Sequence, residues 1–200
     1  MNDAAPRLGA VILAAGASRR LGRSKQLILV DGETLIRRTV RAVLAVAPLR
    51  TAVVIGANAE ETFRAVADLE VERVEAGDWA SGMAASLRAG VDALGDAVDG
   101  LLVVLCDQPA LSAAHLARLA SAWRGAPDAP VASAYAGLLG VPAIVPRTWF
   151  AELGMLEGDR GARDLLRARS DRVTAVAAPA LAVDIDEPRD LGAAGESPPA

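Results

Sequence analysis

The sequence predicts a single-domain α/β protein built on a mostly parallel, doubly wound sheet. Three observations carry that expectation. Apolar blocks of strand length recur at Ala10 to Leu13, Thr51 to Ile55 and Gly100 to Cys106 with helical stretches between them, and repeated strand–helix–strand units imply parallel pairing through right-handed crossovers. The block from Leu101 to Cys106 is apolar at every position, as a central strand covered on both faces must be. The chain has 200 residues, 52% of them hydrophobic, enough for one domain with a sizeable core and too apolar for disorder.

The first strand ends abruptly in a small, cationic stretch from Gly16 to Lys25. Gly16 and Gly22 let the backbone bend and bring N–H groups close to a ligand. Ser18 adds a hydroxyl, and Arg19, Arg20, Arg23 and Lys25 place four positive charges within seven residues, a composition suited to polyphosphate oxygens. The spacing excludes two common phosphate loops. Five residues separate Gly16 from Gly22, and Arg23 follows, where a P-loop has four residues and then Lys. Ala17 and Ser18 after Gly16 break the dinucleotide fingerprint. The alternative is a basic, solvated turn at a strand end.

Gln26 to Val30 reads as extended, closed by the turn at Asp31 and Gly32. Glu33 to Val46 places Leu35, Ile36, Val40, Val43 and Leu44 at helical spacing until Pro48. Thr51 to Ile55 is the second strand. A helix of about ten residues runs through Asp68, and Val71 to Val74 forms a weaker third strand. Ser81 is expected to cap a helix with Leu87, Val91 and Leu94 on its apolar side, Gly82 allowing close approach at the first turn.

After the central strand Pro109 forbids continuation, so Asp107 falls at the carboxyl end, where doubly wound sheets bind ligands; a plain helix cap is its alternative. Cys106 reads as a small buried hydrophobe. The single histidine, His115, falls in a helix from Ser112 to Trp123 and reads as structural. Pro130 to Tyr135 and Ala143 to Val145 are expected strands, as are Val173 to Val176 and Leu181 to Ile185. In that last strand Asp184 and Asp186 would share one face, and two carboxylates facing the same way call for a cation or solvent. The domain is expected to span residues 1–191, with a disordered tail at 192–200.

Composition narrows the partners. The net charge of −4 and the scarcity of aromatic residues, 3%, disfavour a nucleic-acid polymer and favour a small anionic ligand at the basic loop. One cysteine permits no internal disulfide and suits a reducing compartment. The N-terminal apolar run is too short for a signal peptide, and no stretch reaches the roughly 18 apolar residues of a membrane span. A cytoplasmic protein with no membrane partner is expected.

The string Leu13-Ala14-Ala15-Gly16-x-Ser18-x-Arg20-x-Gly22-x-x-Lys25 resembles the opening signature of the MobA-like nucleotidyltransferases. Lys25-Gln26-Leu27, with Ala15-Gly16 in place of two glycines, resembles the molybdenum cofactor cytidylyltransferase branch. Later motifs follow in the family's order: Gly82-Met83 with Ser86, Cys106-Asp107-Gln108-Pro109, Gly140-x-Pro142, Gly158-Asp159-x-Gly161-Ala162-Arg163, and Asp184-Ile185-Asp186-x-Pro188-x-Asp190-Leu191. Val145 stands where the family usually has Phe.

The resemblance implies a three-layer Rossmann-like nucleotidyltransferase fold and transfer of a cytidylyl group from CTP to the terminal phosphate of molybdopterin. It places the nucleotide against Leu13, Ala14, Ala15, Gly16, Ser18, Arg20, Gly22, Lys25, Gly82 and Ser86, with Arg19, Lys25 and Asp107 in catalytic roles. Mg²⁺ would rest on Asp107 and Asp186, with Asp184 as the alternative second ligand, and Asp190 would be a helix cap. Gly140, Pro142 and Arg163 would meet the acceptor, with Asp159 as a possible helix cap beside them, and a molybdenum hydroxylase would be the client. The alternatives are the same chemistry with GTP or another phosphorylated acceptor, a non-catalytic cofactor chaperone, and a nicotinamide-dependent oxidoreductase, which the glycine spacing disfavours.

Overall fold

Seven strands form one sheet in the computed structural model, which describes residues 5–190. In chain order the elements are β1 (Leu8–Leu13), β2 (Leu29–Val30), β3 (Glu33–Thr34), α1 (Leu35–Leu44), β4 (Arg50–Ile55), α2 (Ala59–Arg64) and β5 (Glu72–Glu75). They continue with α3 (Met83–Leu94), β6 (Gly100–Leu105), α4 (Ala113–Gly125), β7 (Val131–Tyr135), β8 (Leu138–Pro146), α5 (Phe150–Gly154), α6 (Ala162–Ala168) and β9 (Thr174–Ala177). The sheet order is β5-β4-β1-β6-β8-β7-β9, and β2 with β3 makes a separate small hairpin. The expected tail at 192–200 lies outside the described residues.

Alternation along β1 sorts the core into two halves. Val11 and Leu13 face α3, α5 and α6 with Leu87, Leu153 and Leu166. Ala10 and Ile12 face α1 and α4 with Ile36, Val40, Leu116 and Trp123. Helices therefore cover both faces of the sheet, as its doubly apolar central strands require. Among the described residues no helix is long and apolar enough to cross a membrane.

The parallel half runs from β5 to β6, with β1 paired in parallel to both β4 and β6. At β8 the direction reverses: β8 is antiparallel to β6 and to β7, while β9 rejoins β7 in parallel. A two-residue turn, Ala136 and Gly137, both at positive φ, joins β7 to β8 and suits the strand twist. β8 is longer than the expected Ala143 to Val145. The register jumps between Ala132 and Ser133, so Val141 and Pro142 bulge out of the ladder. A bulge is where a residue without an N–H fits inside a sheet. Ser133 Oγ donates to Pro142 O at 2.6 Å and Tyr135 Oη to Val141 O at 2.9 Å, so the freed carbonyls keep partners.

Three local expectations need correction. Leu181 to Ile185 is not a strand; a turn of 3₁₀ helix at Pro179–Ala182 gives way to irregular chain. Its apolar residues dock individually: Ile185 is fully buried beside Leu21, Ile28, Val30 and Leu35, and its N–H donates to Asp107 O at 2.9 Å. Asp184 and Asp186 are thus placed by a docked loop rather than by a strand face. Ser81 is not the cap of α3, because its hydroxyl donates to Asp78 O and Gly82 takes the cap position at φ +122°. The first helix starts at Leu35 because Glu33 and Thr34 pair with Val30 and Leu29.

Candidate active site

β1 and β6 are adjacent and parallel, so the loops after Leu13 and Leu105 emerge at the same sheet edge. The first loop is closed from within. Ser18, at φ +51°, accepts the N–H groups of Leu21 and Gly22 on its carbonyl, and its Oγ accepts the Lys25 N–H at 3.1 Å. Buried Gln26 staples the loop to the strand: Nε2 donates to Ala14 O and Gly16 O, both at 2.9 Å, while Oε1 accepts from Ser24 Oγ at 2.7 Å.

These ties aim Lys25 across the sheet edge. Its Nζ lies 2.7 Å from Asp107 Oδ2 and 3.1 Å from Asp186 Oδ1. Burial would lower the Lys25 ammonium pKa, but the charge and hydrogen bond of Asp107, with the further charge of Asp186, carry it above the ordinary lysine value. Arg20 reaches Asp186 Oδ2 at 3.4 Å. Asp190 acts from downstream, its Oδ2 accepting the N–H groups of Asp186 and Glu187 and so fixing the Asp186 backbone.

A cleft of about 490 Å³ opens over this cluster. Of the residues the sequence assigns to nucleotide or catalysis, Leu13, Ala15, Gly16, Ser18, Arg19, Arg20, Lys25, Gly82, Ser86 and Asp107 line it. Ala14 and Gly22 do not. The Ala14 side chain packs into the opposite core layer, and Gly22 makes the tight turn at φ +75°. Trp79, Met83 and Asp159 complete the wall. At the α3 entrance the Ala84 N–H is already taken by Gly158 O at 3.0 Å. Asp159 caps nothing; Gly161 precedes α6, and Asp164 takes the Gly161 N–H at 2.8 Å.

A smaller recess adjoins the cleft, bounded by Gln108, Tyr135, Val141, Arg163, Asp164 and Asp184, with Asp107 on the wall common to both. Arg163, an expected acceptor contact, lines this recess. Gly140 and Pro142 do not line the recess; they shape β8 so that Val141 does. Gly140 leaves room for the Tyr135 hydroxyl. Burial raises the Asp184 carboxyl pKa, and the charges of Asp107 and Asp186 add to it. The Tyr135 hydroxyl is likewise raised, chiefly by burial.

The cluster suits a hard cation. Asp107 Oδ1 is buried without a hydrogen-bond partner, while the Lys25 ammonium already serves as the positive partner of both carboxylates. Among the described residues no group of three or more His, Cys, Asp or Glu side chains forms a ready-made metal cage. Two carboxylates completed by substrate phosphates are the usual lot of Mg²⁺.

Burial favours the neutral form of two further groups. The Cys106 thiol is pushed up to about 12 by burial and the Asp107 charge. His115 lines neither recess, and its Nε2 lies 2.7 Å from Ser133 Oγ. Sequence reasoning missed the Gln26 staple and the cleft positions of Trp79 and Asp159. Trp79 carried a signal, a large aromatic residue just before a helix, in a chain with three tryptophans.

The family model described as MobA-like NTP transferase domain matches residues 10–173. A protein of Paenarthrobacter nicotinovorans named nicotine blue oxidoreductase is 36% identical, the match covering 82% of this chain and 83% of that one. A probable molybdenum cofactor guanylyltransferase of Opitutus terrae is 33% identical over 88% of each chain. Among solved structures, Rv0371c of Mycobacterium tuberculosis superposes with a TM-score of 0.84 at 28% identity, covering 97% of this chain and 100% of that one. The same mycobacterial protein solved in complex with manganese gives a TM-score of 0.78 at 25% identity, over 94% and 97% of the two chains.

Proposed function

This chain is a nucleotidyltransferase that belongs to the MobA-like NTP transferase family, and on that premise we propose that it transfers a cytidylyl group from CTP to the terminal phosphate of molybdopterin, releasing pyrophosphate. The observation that carries the reading is the convergence of Lys25 and Asp186 on Asp107, the carboxylate that lines both recesses, with Lys25 paired to each acid. The cationic loop and Gly82 bound the donor cleft. Arg163 and Tyr135 bound the acceptor recess.

The acceptor is already an ionised phosphate and needs no general base, in keeping with a site that has no histidine. An acceptor oxygen attacks the α-phosphorus, the bond to the pyrophosphate oxygen breaks, and the leaving group carries away the negative charge. In-line placement and charge neutralisation therefore do most of the catalysis. Lys25 meets the charge that develops on pyrophosphate, with Arg19 and Arg20 beside it on the cleft wall. Asp107 and Asp186 would hold Mg²⁺, which when bound supplies the charge neutralisation that lets two phosphates approach. The product would pass to a molybdenum hydroxylase.

CTP is favoured by Lys25-Gln26-Leu27 and by Ala15 before Gly16. A second reading, GTP as donor, is favoured by the name of the Opitutus terrae relative. The name of the Paenarthrobacter nicotinovorans relative favours an oxidoreductase, a role that leaves the Lys25–Asp107 pair without a task. Pyrophosphate release with purified molybdopterin and CTP, GTP or UTP tests the proposal. Turnover with CTP well above the others supports it; turnover with GTP alone replaces the base. Inertness with all three, together with tight binding of NAD(P)H, overturns it.

A further inference from the structure

Lys25 occupies a position that a divalent ion also requires. Oxygen ligands approach Mg²⁺ at about 2.0–2.1 Å. The ammonium already stands 2.7 Å from Asp107 Oδ2 and 3.1 Å from Asp186 Oδ1, so an ion bound to those oxygens and the ammonium cannot share the space. Without either cation, two carboxylates would face each other with Asp184 close by, an arrangement that low solvent exposure makes costly. Asp107 is the more enclosed of the pair, its side chain 13% exposed against 35% for Asp186.

The Lys25 backbone is fixed at both ends. Its N–H donates to Ser18 Oγ, and its carbonyl accepts the Ile28 N–H at 3.2 Å. Only the four-carbon side chain is free to move. It borders the same cleft as Gly16, Ser18, Arg19 and Arg20, so triphosphate oxygens in that cleft offer the ammonium an alternative partner within reach of a side-chain rotation.

We propose that Lys25 is a resident counter-cation: it holds Asp107 and Asp186 together in the empty site and yields them to a divalent ion only when nucleotide phosphates take up its ammonium. The inference rests on reading those two carboxylates as the metal-holding pair. It makes metal and nucleotide binding mutually reinforcing, because each raises the affinity of the other by the same factor. It also spares the nucleotide-free protein an enclosed Asp107 carboxylate stripped of its ammonium partner, Arg20 reaching only Asp186 of the pair.

The test is calorimetric titration of Mn²⁺ into the nucleotide-free full chain, with thermal unfolding measured in parallel. Lys25→Met is expected to bind Mn²⁺ at least about tenfold tighter than the unaltered protein. It should also unfold at a lower temperature without metal and recover when Mn²⁺ is added. Lys25→Arg, which keeps the charge, should bind Mn²⁺ as weakly as the unaltered protein. Equal Mn²⁺ affinity in the unaltered protein and Lys25→Met overturns the proposal. Adding CTP separates the two levels of the argument. If Lys25→Met gains no affinity while CTP brings in Mn²⁺ in an Asp107-dependent manner, the metal site stands and the counter-cation role falls. If Mn²⁺ binding is indifferent to Asp107→Asn in every form, the metal site falls and the proposal with it.

Discussion

The Lys25 ammonium lies 2.7 Å from the Asp107 carboxylate although 82 residues separate them in the chain. Adjacent parallel strands make this contact, since β1 and β6 deliver their C-terminal loops to one edge. Lys25→Ala is expected to lower turnover by about 10²–10³-fold, the usual loss when one donor to a developing oxyanion is removed. Pyrophosphate release under saturating substrates measures it. Loss confined to KM would instead assign Lys25 to ground-state binding.

Asp107→Asn preserves the shape of the side chain and removes its charge. Turnover should disappear while the far-ultraviolet circular dichroism stays unchanged. Persistence of Mg²⁺-dependent pyrophosphate release in this variant would rule out the assigned role.

Gln26→Leu takes both staples from the opening loop and leaves Ala14 O and Gly16 O without their donor. Buried groups stripped of partners cost about 1–3 kcal/mol each, so with two carbonyls affected denaturant unfolding should show a loss of about 2–6 kcal/mol. The KM for nucleotide should rise with that for the acceptor unaffected. Equal changes in both would place the staple's influence on the whole site.

Gly82 sits at φ +122° and ψ −178°, a region nearly closed to other residues, and a Cβ there would run into the Gly158 carbonyl. Gly82→Ala should destabilise the fold by about 1–3 kcal/mol from backbone strain alone. It should also displace the chain around Asp159 and weaken nucleotide binding. Thermal unfolding and nucleotide titration report the two effects separately.

His115 is buried, with Nε2 toward Ser133 and Nδ1 accepting from Arg118 at 3.1 Å. Burial, and next the Arg118 charge, hold its pKa below the ordinary 6.5. The folded state thus favours neutral imidazole. Its contribution to stability is complete above about pH 6.5 and declines as pH falls below that value, because the unfolded chain then binds the proton more readily. Urea unfolding between pH 7 and pH 5 should show this decline in the unaltered protein and a shallower one in His115→Gln.

The larger cleft was legible in the sequence because its signals are local. A glycine-bearing cationic run after an apolar block, and an Asp-Gln-Pro step after a doubly apolar strand, each declare a loop at a strand end. The smaller recess was less legible. The strand was expected only from Ala143, after Pro142, yet the bulge opposite Ser133 absorbs that proline and β8 starts at Leu138. Leu181 and Ile185 looked like strand residues because they are apolar and flank Asp184. The structure uses them as separate anchors, and the contact of Ile185 with the Asp107 carbonyl, together with the Asp190 carboxylate on the Asp186 N–H, explains where Asp186 ends up. Gln26 stood out only within the Lys25-Gln26-Leu27 resemblance, and nothing announced its staple, since its partners are backbone carbonyls ten and twelve residues upstream.

The reversal of strand direction between β6 and β8 divides the molecule's inheritance. With Asp159 as the exception, the side chains lining the larger cleft come from positions up to 107, whereas those peculiar to the smaller recess come almost wholly from beyond it. Substitutions at positions such as Tyr135, Val141 and Arg163 can therefore redraw the smaller recess while the larger cleft is left alone, so the two can diverge separately as long as Asp186 is kept.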